Sequence, residues 1–348
     1  MSSHTPKLLD VARLAGVGKT TASDAMSGTG RVSAETRALV LAAAQQLNYV
    51  PNGSARHLRK ASTGTIAVVL PEALSRSNYY MSFVFGVVAE AAKRDFDVTI
   101  VSPSEQRGRE RPIRADGVII SDPQRDDPML PGLLDSSLAV VTCERIPMPL
   151  NAPEGVSITP PDGVVWSAHE AGMRLLLDEV WSAGSRYPAL LVAEESVDWA
   201  ASVTRAYRAW CAEKGLEPMV RTVGWEATWG DMREAAAELL AASPAIDALI
   251  CGPDGSAAEL LPMLAQFGRS VGENFVIASC VDSAPMQMAS PQITSLDLRP
   301  RESGIACAQL LIDILTGVLP QGTELEHSIA LTVRESTAQL PPDRSPRP

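Results

Sequence analysis

The hydrophobic pattern of the longer part of the chain alternates between two kinds of segment. From Thr65 onward, short apolar runs alternate with longer stretches whose apolar residues recur at helical spacing. A first group of runs reads TIAVVLP, DVTIVSP, ADGVIISDP and LAVVTCE, and a second reads PALLVAEE, DALICGPD and NFVIASCVD. Apolar runs between amphipathic helices are typical of parallel sheets covered on both faces. Two such groups predict an α/β body of two doubly wound parallel-sheet subdomains with a cleft between them.

The first fifty residues show a different pattern, with apolar residues at helical spacing in three short segments. LLDVARLAG ends at Gly16, which supplies the left-handed residue that commonly closes a helix. KTTASDAMSG forms a second helix, and Ser33 provides the N-cap of a third. Two short helices joined by a glycine turn and closed by a third predict a helix-turn-helix head. The inward-facing positions of the first two helices are Leu8, Val11, Ala12, Ala15, Ala22, Ala25 and Met26.

The GKTT run at the start of the second helix has a competing interpretation as a phosphate-binding loop. Such loops read GxxxxGK[ST], and the first glycine would fall at position 13, which is Arg13. A phosphate loop also follows a hydrophobic strand, whereas LLDVARLA has helical spacing. We therefore place Lys19, Thr20 and Thr21 at the exposed N-terminus of a helix that can enter the major groove of DNA.

Charge is distributed unevenly between the head and the body. The 348 residues carry a formal net charge of −11, which by itself disfavours binding to nucleic acid. Residues 1–60 carry eight Lys or Arg against three Asp or Glu, a net charge of +5, so the remainder carries −16. A small basic head on an acidic body directs the head at a polyanion.

Catalytic, metal-binding and membrane functions find little support in the sequence. The five cysteines form no CxxC pair and the four histidines show no metal spacing, so neither a metal site nor a disulfide framework is expected. No GxSxG motif occurs, and we expect no cofactor and no enzymatic activity. No signal peptide and no run of about 20 apolar residues is found, which predicts a cytoplasmic protein without membrane contact.

The head sequence is shared with a known family. The chain resembles the LacI/GalR (lactose-repressor) family of bacterial transcription regulators over LLDVARLAGVGKTTASDAMSGTGRVSAETRALVLAAAQQLNYVPN. The body resembles the same family more weakly, which implies a periplasmic-binding-protein-like fold whose chain crosses between the subdomains three times. In the head, the resemblance implies base reading by Lys19, Thr20 and Asp24 and phosphate contacts by Thr21, Ser23, Ser33, Thr36 and Tyr49.

Two positions depart from the family pattern. Asp24 stands where family members usually have an arginine, and Gly18 stands where they usually have a serine cap. A carboxylate can accept from a cytosine amino group but cannot contact phosphate, so the preferred operator should differ from the common one. Two alternatives stay open, because Lys19 can contact phosphate alone and Asp24 can be a solvated surface charge.

A basic segment, NGSARHLRK, follows the head. Nine residues do not hold an isolated helix in water, where about a dozen are needed. The resemblance implies the hinge helix of the family, which folds when two copies lie in the minor groove. Leu58 would be the apolar wedge, Ala55 would allow close approach, and Arg56 would contact the groove or a phosphate, with Asn52 in the same DNA-binding set. A basic interdomain linker is the alternative.

These observations divide the chain into four parts. We expect a helix-turn-helix domain at residues 1–50, a hinge helix or linker at 51–61, an effector-binding and dimerisation body at 62–340, and a disordered tail at 341–348. The proline-rich end QLPPDRSPRP has no heptads, so a tetramerising coiled coil is not expected. A homodimer is expected, because the operators of the family are palindromic and twofold proteins read twofold sites.

The resemblance also implies four effector positions, where family members that bind sugars or purines have two aspartates, an arginine and an asparagine. A one-residue slip of the alignment would restore some of these types, but as aligned all four positions are apolar, with polar residues one or two places away. Common mono- and disaccharides are then not expected as effectors, and the ligand is less hydroxylated or regulation needs none. The aligned residues are Ala168, Val203, Pro253 and Val281, and their polar neighbours are His169, Arg205, Asp254 and Asp282.

The sequence as a whole predicts a sequence-specific transcription regulator, in the simplest case a repressor. It would bind a palindromic double-stranded DNA operator as a dimer, under the control of a small-molecule effector in the cleft. The competing hypothesis is an intracellular small-molecule receptor or enzyme that retains the binding-protein fold. The intact head favours the regulator.

Overall fold

The computed structural model shows two compact units, residues 1–64 and residues 65–348. The first unit holds the head and the second holds the body. The predicted hinge at 51–61 and the predicted tail at 341–348 lie outside the described residues. The described residues are 6–27, 30–49, 62–71, 78–101, 113–125, 127–147, 159–338 and 340.

The head has the three predicted helices, α1 (Leu8–Leu14), α2 (Lys19–Ser27) and α3 (Ala34–Gln46). Gly16 follows α1 with φ +68°, a left-handed conformation that glycine adopts without strain. The Ser33 hydroxyl accepts from the Thr36 amide at 3.2 Å, which confirms Ser33 as the N-cap of α3. The core consists of small side chains that let the helices approach closely, namely Val11, Ala12, Ala22, Ala25, Val40, Ala43 and Ala44.

The first subdomain of the body is built on a six-stranded, fully parallel sheet. Its strands are β1 (Thr65–Val69), β2 (Asp97–Val101), β3 (Gly117–Ser121), β4 (Ala139–Cys143), β5 (Gly163–Ser167) and β11 (Thr323–His327). Their order across the sheet is β11-β5-β4-β3-β1-β2. One face carries helices α4 (Asn78–Lys93) and α11 (Pro300–Leu315), and the other carries α5 (Leu130–Leu134).

The second subdomain repeats this plan with an antiparallel strand at one edge. Its strands are β6 (Pro188–Ala193), β7 (Met219–Val223), β8 (Ala248–Cys251), β9 (Val276–Ser279), β10 (Thr294–Asp297) and β12 (Ala330–Thr332). Their order is β12-β10-β9-β8-β6-β7, with β12 antiparallel to β10. The helices are α6 (His169–Ser182), α7 (Asp198–Lys214), α8 (Trp229–Ala242), α9 (Ser256–Gln266) and α10 (Ala284–Met288).

Central strands of both sheets are buried on both faces. All five residues of β3 and all six of β6 are buried. This double burial explains why their sequences are continuous apolar runs rather than alternating ones, as expected for parallel sheets between helices. The prediction of two doubly wound parallel-sheet subdomains is confirmed. Among the described residues, no helix has the length and apolar character needed to cross a membrane.

The chain passes between the subdomains three times, as the resemblance implied. The passages lie between β5 and α6, between β10 and α11, and between β11 and β12. They lie side by side, because the Ala168 amide donates to the His327 carbonyl and a His327 ring nitrogen lies 3.1 Å from the Leu298 carbonyl oxygen. Arg299, at the second passage, has φ +46°, a left-handed conformation that is rare outside glycine. The two sheets are therefore held by adjacent connections at one edge of the cleft.

Helices α4 and α11 cross with their backbones in contact through two glycines. A Cβ atom on Gly86 would lie 2.0 Å from the Arg301 carbonyl oxygen. A Cβ atom on Gly304 would lie 2.1 Å from the Phe83 carbonyl oxygen. Any side chain at either position forces the helices apart, because the opposing atoms belong to the backbone and cannot rotate away.

We expect Gly304→Ala to lower the free energy of unfolding of the body by about 3 kcal/mol, the upper part of the range for overpacked cores. Urea unfolding followed by circular dichroism measures the change. Gly132→Ala on α5 is the matched control, since no atom of the described residues outside the adjoining backbone lies within 4 Å of its new methyl group. Equal stability of the two variants would contradict the close crossing of α4 and α11.

Candidate effector cleft and DNA-binding surface

A cleft lies between the two subdomains, with about 1060 Å³ of empty space that includes some open solvent at its mouth. Its walls are formed where the parallel strands of both sheets end, the usual ligand-binding edge of open α/β sheets. Asp122 and Glu144 follow β3 and β4 on one wall, and Gly252 and Cys280 follow β8 and β9 on the other. At the rim, the Arg125 amide donates to the Ser196 carbonyl at 2.9 Å, so the two walls touch.

Five aromatic side chains line the cleft. Two tyrosines begin α4, and the three tryptophans come from α7, from the segment between β7 and α8, and from the first residue of α8. Trp229 packs on the backbone of Gly255, where a Cβ atom would lie 2.8 Å from the indole ring. The cleft therefore offers flat apolar faces as well as polar groups. The five aromatic residues are Tyr79, Tyr80, Trp199, Trp225 and Trp229.

Two acidic residues on the first wall adopt an unusual backbone conformation. Asp122 has φ +47° and Glu144 has φ +76°, although neither is glycine. Such conformations cost energy and cluster at functional sites, where the surrounding structure holds them in place. Their amides still bond neighbouring strands, Asp122 to the Cys143 carbonyl at 3.0 Å and Glu144 to the Val165 carbonyl at 2.8 Å. Both side chains are thereby fixed at the cleft.

Burial and neighbouring charges shift the pKa values of this group. Burial, with the Glu144 charge as the next contribution, raises the pKa of Asp122 to about 7, even though Tyr80 donates to Oδ2 at 2.9 Å. Burial also opposes ionisation of Glu144, but attraction to His169 and hydrogen bonds from Ser167 outweigh it and lower the pKa. Burial disfavours the charged His169 ring, but Glu144 raises its pKa. Glu144 and His169 thus form a buried ion pair.

One ring nitrogen in the cleft wall remains available to a ligand. Trp225 Nε1 is buried without a hydrogen-bond partner among the described residues. Buried N–H groups are seldom left unsatisfied, so this nitrogen is suited to donate to an acceptor on a bound molecule. His169 Nε2, in contrast, lies 3.2 Å from Glu144 Oε1 in the ion pair.

The DNA-binding residues predicted at the N-terminus of α2 are accessible. Lys19 and Thr20 are exposed and Thr21 is half-buried. Asp24 is also half-buried, and its carboxylate packs against Gly30, where a Cβ atom would lie 2.9 Å from Oδ2. This contact places Asp24 beside the turn that leads to α3, so part of its surface serves the head itself.

The predicted phosphate contacts differ in accessibility. Ser33 is exposed, and its hydroxyl lies 2.9 Å from that of Thr36. Tyr49 is half-buried and packs against the core of the head. Ser23 retains only 9% of its surface, which leaves little room for the phosphate contact implied by the resemblance. The hinge residues Asn52, Ala55, Arg56 and Leu58 lie outside the described residues.

Comparison with known proteins decides the family. Residues 7–52 match the family described as bacterial regulatory proteins, lacI family, and residues 177–337 match the periplasmic binding protein-like domain. The HTH-type transcriptional regulator CelR of Thermobifida fusca is 31% identical over 342 residues, covering 95% of this chain and 98% of that protein. This chain belongs to the LacI family. It is a transcription regulator with a helix-turn-helix head and an effector-binding body.

Other LacI-family members extend the comparison. AglR of Rhizobium meliloti is 27% identical over 356 residues, covering 98% of this chain and 96% of AglR. A solved CelR–cellobiose complex superposes with a TM-score of 0.68 at 28% identity, covering 95% of this chain and 99% of that one. The Lac repressor dimer bound to operator has a TM-score of 0.75 at 20% identity, covering 96% and 100%, which shows a shared fold. These relatives are all transcription regulators, so the comparisons give no support to the competing hypothesis of an intracellular receptor or enzyme.

The four polar effector residues proposed for this LacI-family chain separate into two pairs. His169 and Asp254 line the cleft. Arg205 does not, because its guanidinium pairs with Glu170 on the exposed surface of α6 and α7. Asp282 lies outside the lining as well, where it accepts from Arg334 at 2.8 and 2.9 Å.

Most of the four apolar positions that align with the family pattern line the cleft. Val203, Pro253 and Val281 do line the cleft, whereas Ala168 lies just before α6 and is not among the lining residues. The alignment therefore located the wall but missed Asp122 and Glu144. A signal for both exists in the sequence, since each follows directly on an apolar run, in ADGVIISDP and LAVVTCE.

The raised pKa of Asp122 has a consequence for the stability of this regulator. The folded body retains the Asp122 proton up to about pH 7, whereas the unfolded chain loses it near pH 4. The free energy of unfolding therefore falls as pH rises through this window. We expect Asp122→Asn to gain about 2 to 3 kcal/mol relative to the unmodified protein between pH 5 and pH 8.

Urea unfolding at both pH values measures this difference. Glu170→Gln serves as the control, because it removes an exposed carboxylate outside the cleft. If Asp122→Asn and the unmodified protein show the same change with pH, Asp122 does not hold a proton in the folded state.

Proposed function

We propose that this regulator binds a palindromic operator as a homodimer, represses transcription from it, and is controlled by a carbohydrate-like effector in the cleft. It acts by binding alone, without catalysis or a cofactor, in the cytoplasm. The observation that carries the proposal is the combination of an accessible α2 N-terminus with a cleft lined by aromatic and carboxylate side chains. Among the described residues, no cluster of ligating side chains suits a metal ion.

An exposed apolar stripe on α4 supports the dimer. Met81, Phe85 and Val88 are 44%, 55% and 42% exposed and recur at helical spacing on its outer face. The edge strand β2, next to α4, adds Ile100 at 51% exposure. Apolar groups clustered in this way mark interaction surfaces. A second copy of the chain is the occupant we propose, and the Lac repressor, which has the same fold, was solved as a dimer on its operator.

The cleft chemistry supports a carbohydrate-like ligand. Sugars present apolar C–H faces that stack on aromatic rings, and hydroxyl groups that donate to carboxylates. Trp199, Trp225 and Trp229 supply such rings, and Asp122 and Glu144 supply such acceptors. CelR, at 28% identity, was solved with cellobiose. The aromatic and carboxylate groups lie outside the four apolar positions, so the loss of the usual polar set does not exclude a hydroxylated ligand.

Selection of bound DNA from a random pool tests the regulator proposal. The full-length protein is expected to enrich a palindrome whose half-sites are spaced for a dimer. Lys19→Ala should then relax one base of each half-site if Lys19 reads a base edge, at about 1 to 3 kcal/mol, or weaken all sites alike if it contacts phosphate. Glu35→Gln is the control, because Glu35 is an exposed carboxylate of the head. Asp10 is not suited, because its carboxylate caps α1. Recovery of no preferred sequence would contradict operator recognition.

The dimer surface makes a separate prediction. Phe85→Arg places a charge in the proposed interface, so we expect monomers in sedimentation analysis and a loss of operator affinity of about 30-fold or more. Leu175→Arg is the matched control, because Leu175 is similarly exposed, at 52%, on α6. A dimeric Phe85→Arg protein with full operator affinity would place the interface elsewhere.

A further inference from the structure

We propose that the effector carries a protonated amine, and that Asp122 receives this ammonium group. This inference rests on the proposed carbohydrate-like effector and narrows it to an amino sugar. The lining residues of this cleft include no Lys or Arg among the described part of the chain. A cation that balances the carboxylates of the cleft can therefore be supplied by the ligand.

The charge balance at the first wall singles out Asp122. Two carboxylates, Asp122 and Glu144, stand at the ends of adjacent strands and share one nearby cationic ring, His169. His169 lies 3.2 Å from Glu144, so it is already paired there. The Asp122 side chain itself accepts a hydrogen bond from a neutral donor, the Tyr80 hydroxyl. A buried carboxylate without a cation is costly, and an ammonium group at Asp122 would complete two oppositely charged pairs.

The raised pKa of Asp122 is consistent with a carboxyl group whose nearby cationic ring, His169, is paired with Glu144. In the ligand-free cleft, burial and the Glu144 charge raise the pKa of Asp122 to about 7, so a large fraction is neutral near that pH. An ammonium group beside the carboxylate favours its ionised form and lowers that pKa. Binding of the amine should therefore release a proton from Asp122. The other titratable groups that face Asp122 are Glu144, His169, Tyr80, Tyr79 and Cys143.

The remaining cleft groups fit the rest of an amino sugar. Trp225 Nε1 is a buried donor without a hydrogen-bond partner among the described residues, and a ring or hydroxyl oxygen of the ligand can accept from it. Tyr79 and Tyr80 meet edge to face at 5.3 Å beside Asp122, and tyrosine rings attract a nearby cation. The tryptophan faces accommodate the apolar side of the sugar ring. The Trp225 donor can thus accommodate an acceptor atom of the ligand, and the excess of acidic over basic side chains in the lining favours a cationic one.

Two disaccharides that have nearly the same shape but differ in charge test whether the cleft recognises an ammonium group. Cellobiose and the β-1,4-linked disaccharide of glucosamine differ in a hydroxyl or an ammonium group at C2 of each ring. Titration calorimetry with the full-length protein should show the glucosamine disaccharide binding about 10-fold or more tightly, the range for a charge-assisted hydrogen bond. At pH 6, one unit below the pKa of Asp122, titration in two buffers should also show release of a proton on binding.

The variant Asp122→Asn should lose both the preference for the amine and the proton release, while it keeps the carbonyl acceptor for Tyr80. The exposed carboxylate variant Glu259→Gln should keep both, because Glu259 pairs with Arg233 away from the cleft. The proton-release measurement on the unmodified protein stands even if Asp122→Asn folds poorly.

Each alternative outcome is decisive. Equal or tighter binding of cellobiose would overturn the amine while leaving the carbohydrate proposal intact. A preference that persists in Asp122→Asn, or binding without proton release, would show that Asp122 is not the amine partner. Failure of both disaccharides to bind would overturn the carbohydrate proposal together with this inference.

Discussion

The structure depends on one geometric constraint, the three adjacent passages that hold the strand ends of two parallel sheets face to face. The passages are tied by the bond from the Ala168 amide to the His327 carbonyl and by the contact of the His327 ring with the Leu298 carbonyl. Because both sheets end at the same edge of the cleft, the residues that follow β3 and β4 must face the residues that follow β8 and β9. Asp122 and Glu144 therefore share one cleft with Gly252 and Cys280 of the opposite wall.

Two buried carboxyl groups, those of Asp122 and Glu144, determine the electrostatics of the cleft. The LacI framework is retained in the head and in both sheets, yet three of the aligned effector positions in the wall are Val203, Pro253 and Val281. Polar side chains stand instead at the strand ends of the first subdomain, where Glu144 is paired with His169 and burial raises the pKa of Asp122 to about 7. A ligand that changes this balance acts on groups that connect both subdomains, since His169 begins α6 and Glu144 follows β4.

The sequence predicted most of the fold, because buried parallel strands are continuous apolar runs and the head helices carry recognisable caps at Gly16 and Ser33. The sequence predicted the residues that line the cleft less well. Arg205 and Asp282 were candidates because they neighbour the aligned positions, but each pairs with a residue far along the chain, Glu170 and Arg334. Such pairings are set by the tertiary packing of helices and strands, and local sequence does not record them. For the same reason, the left-handed turns that aim Asp122 and Glu144 at the cleft were not foreseen.

The central claim is that occupation of the cleft controls the head, and operator affinity measured with and without ligand tests it most directly. Fluorescence anisotropy of a labelled operator found by selection would be titrated with the glucosamine disaccharide and with cellobiose. We expect the bound disaccharide to change operator affinity by about 5- to 150-fold, the usual range of allosteric coupling. The Asp122→Asn protein should show this change only at higher concentrations of the amino sugar. A disaccharide that saturates the cleft and leaves operator affinity unchanged would contradict the account.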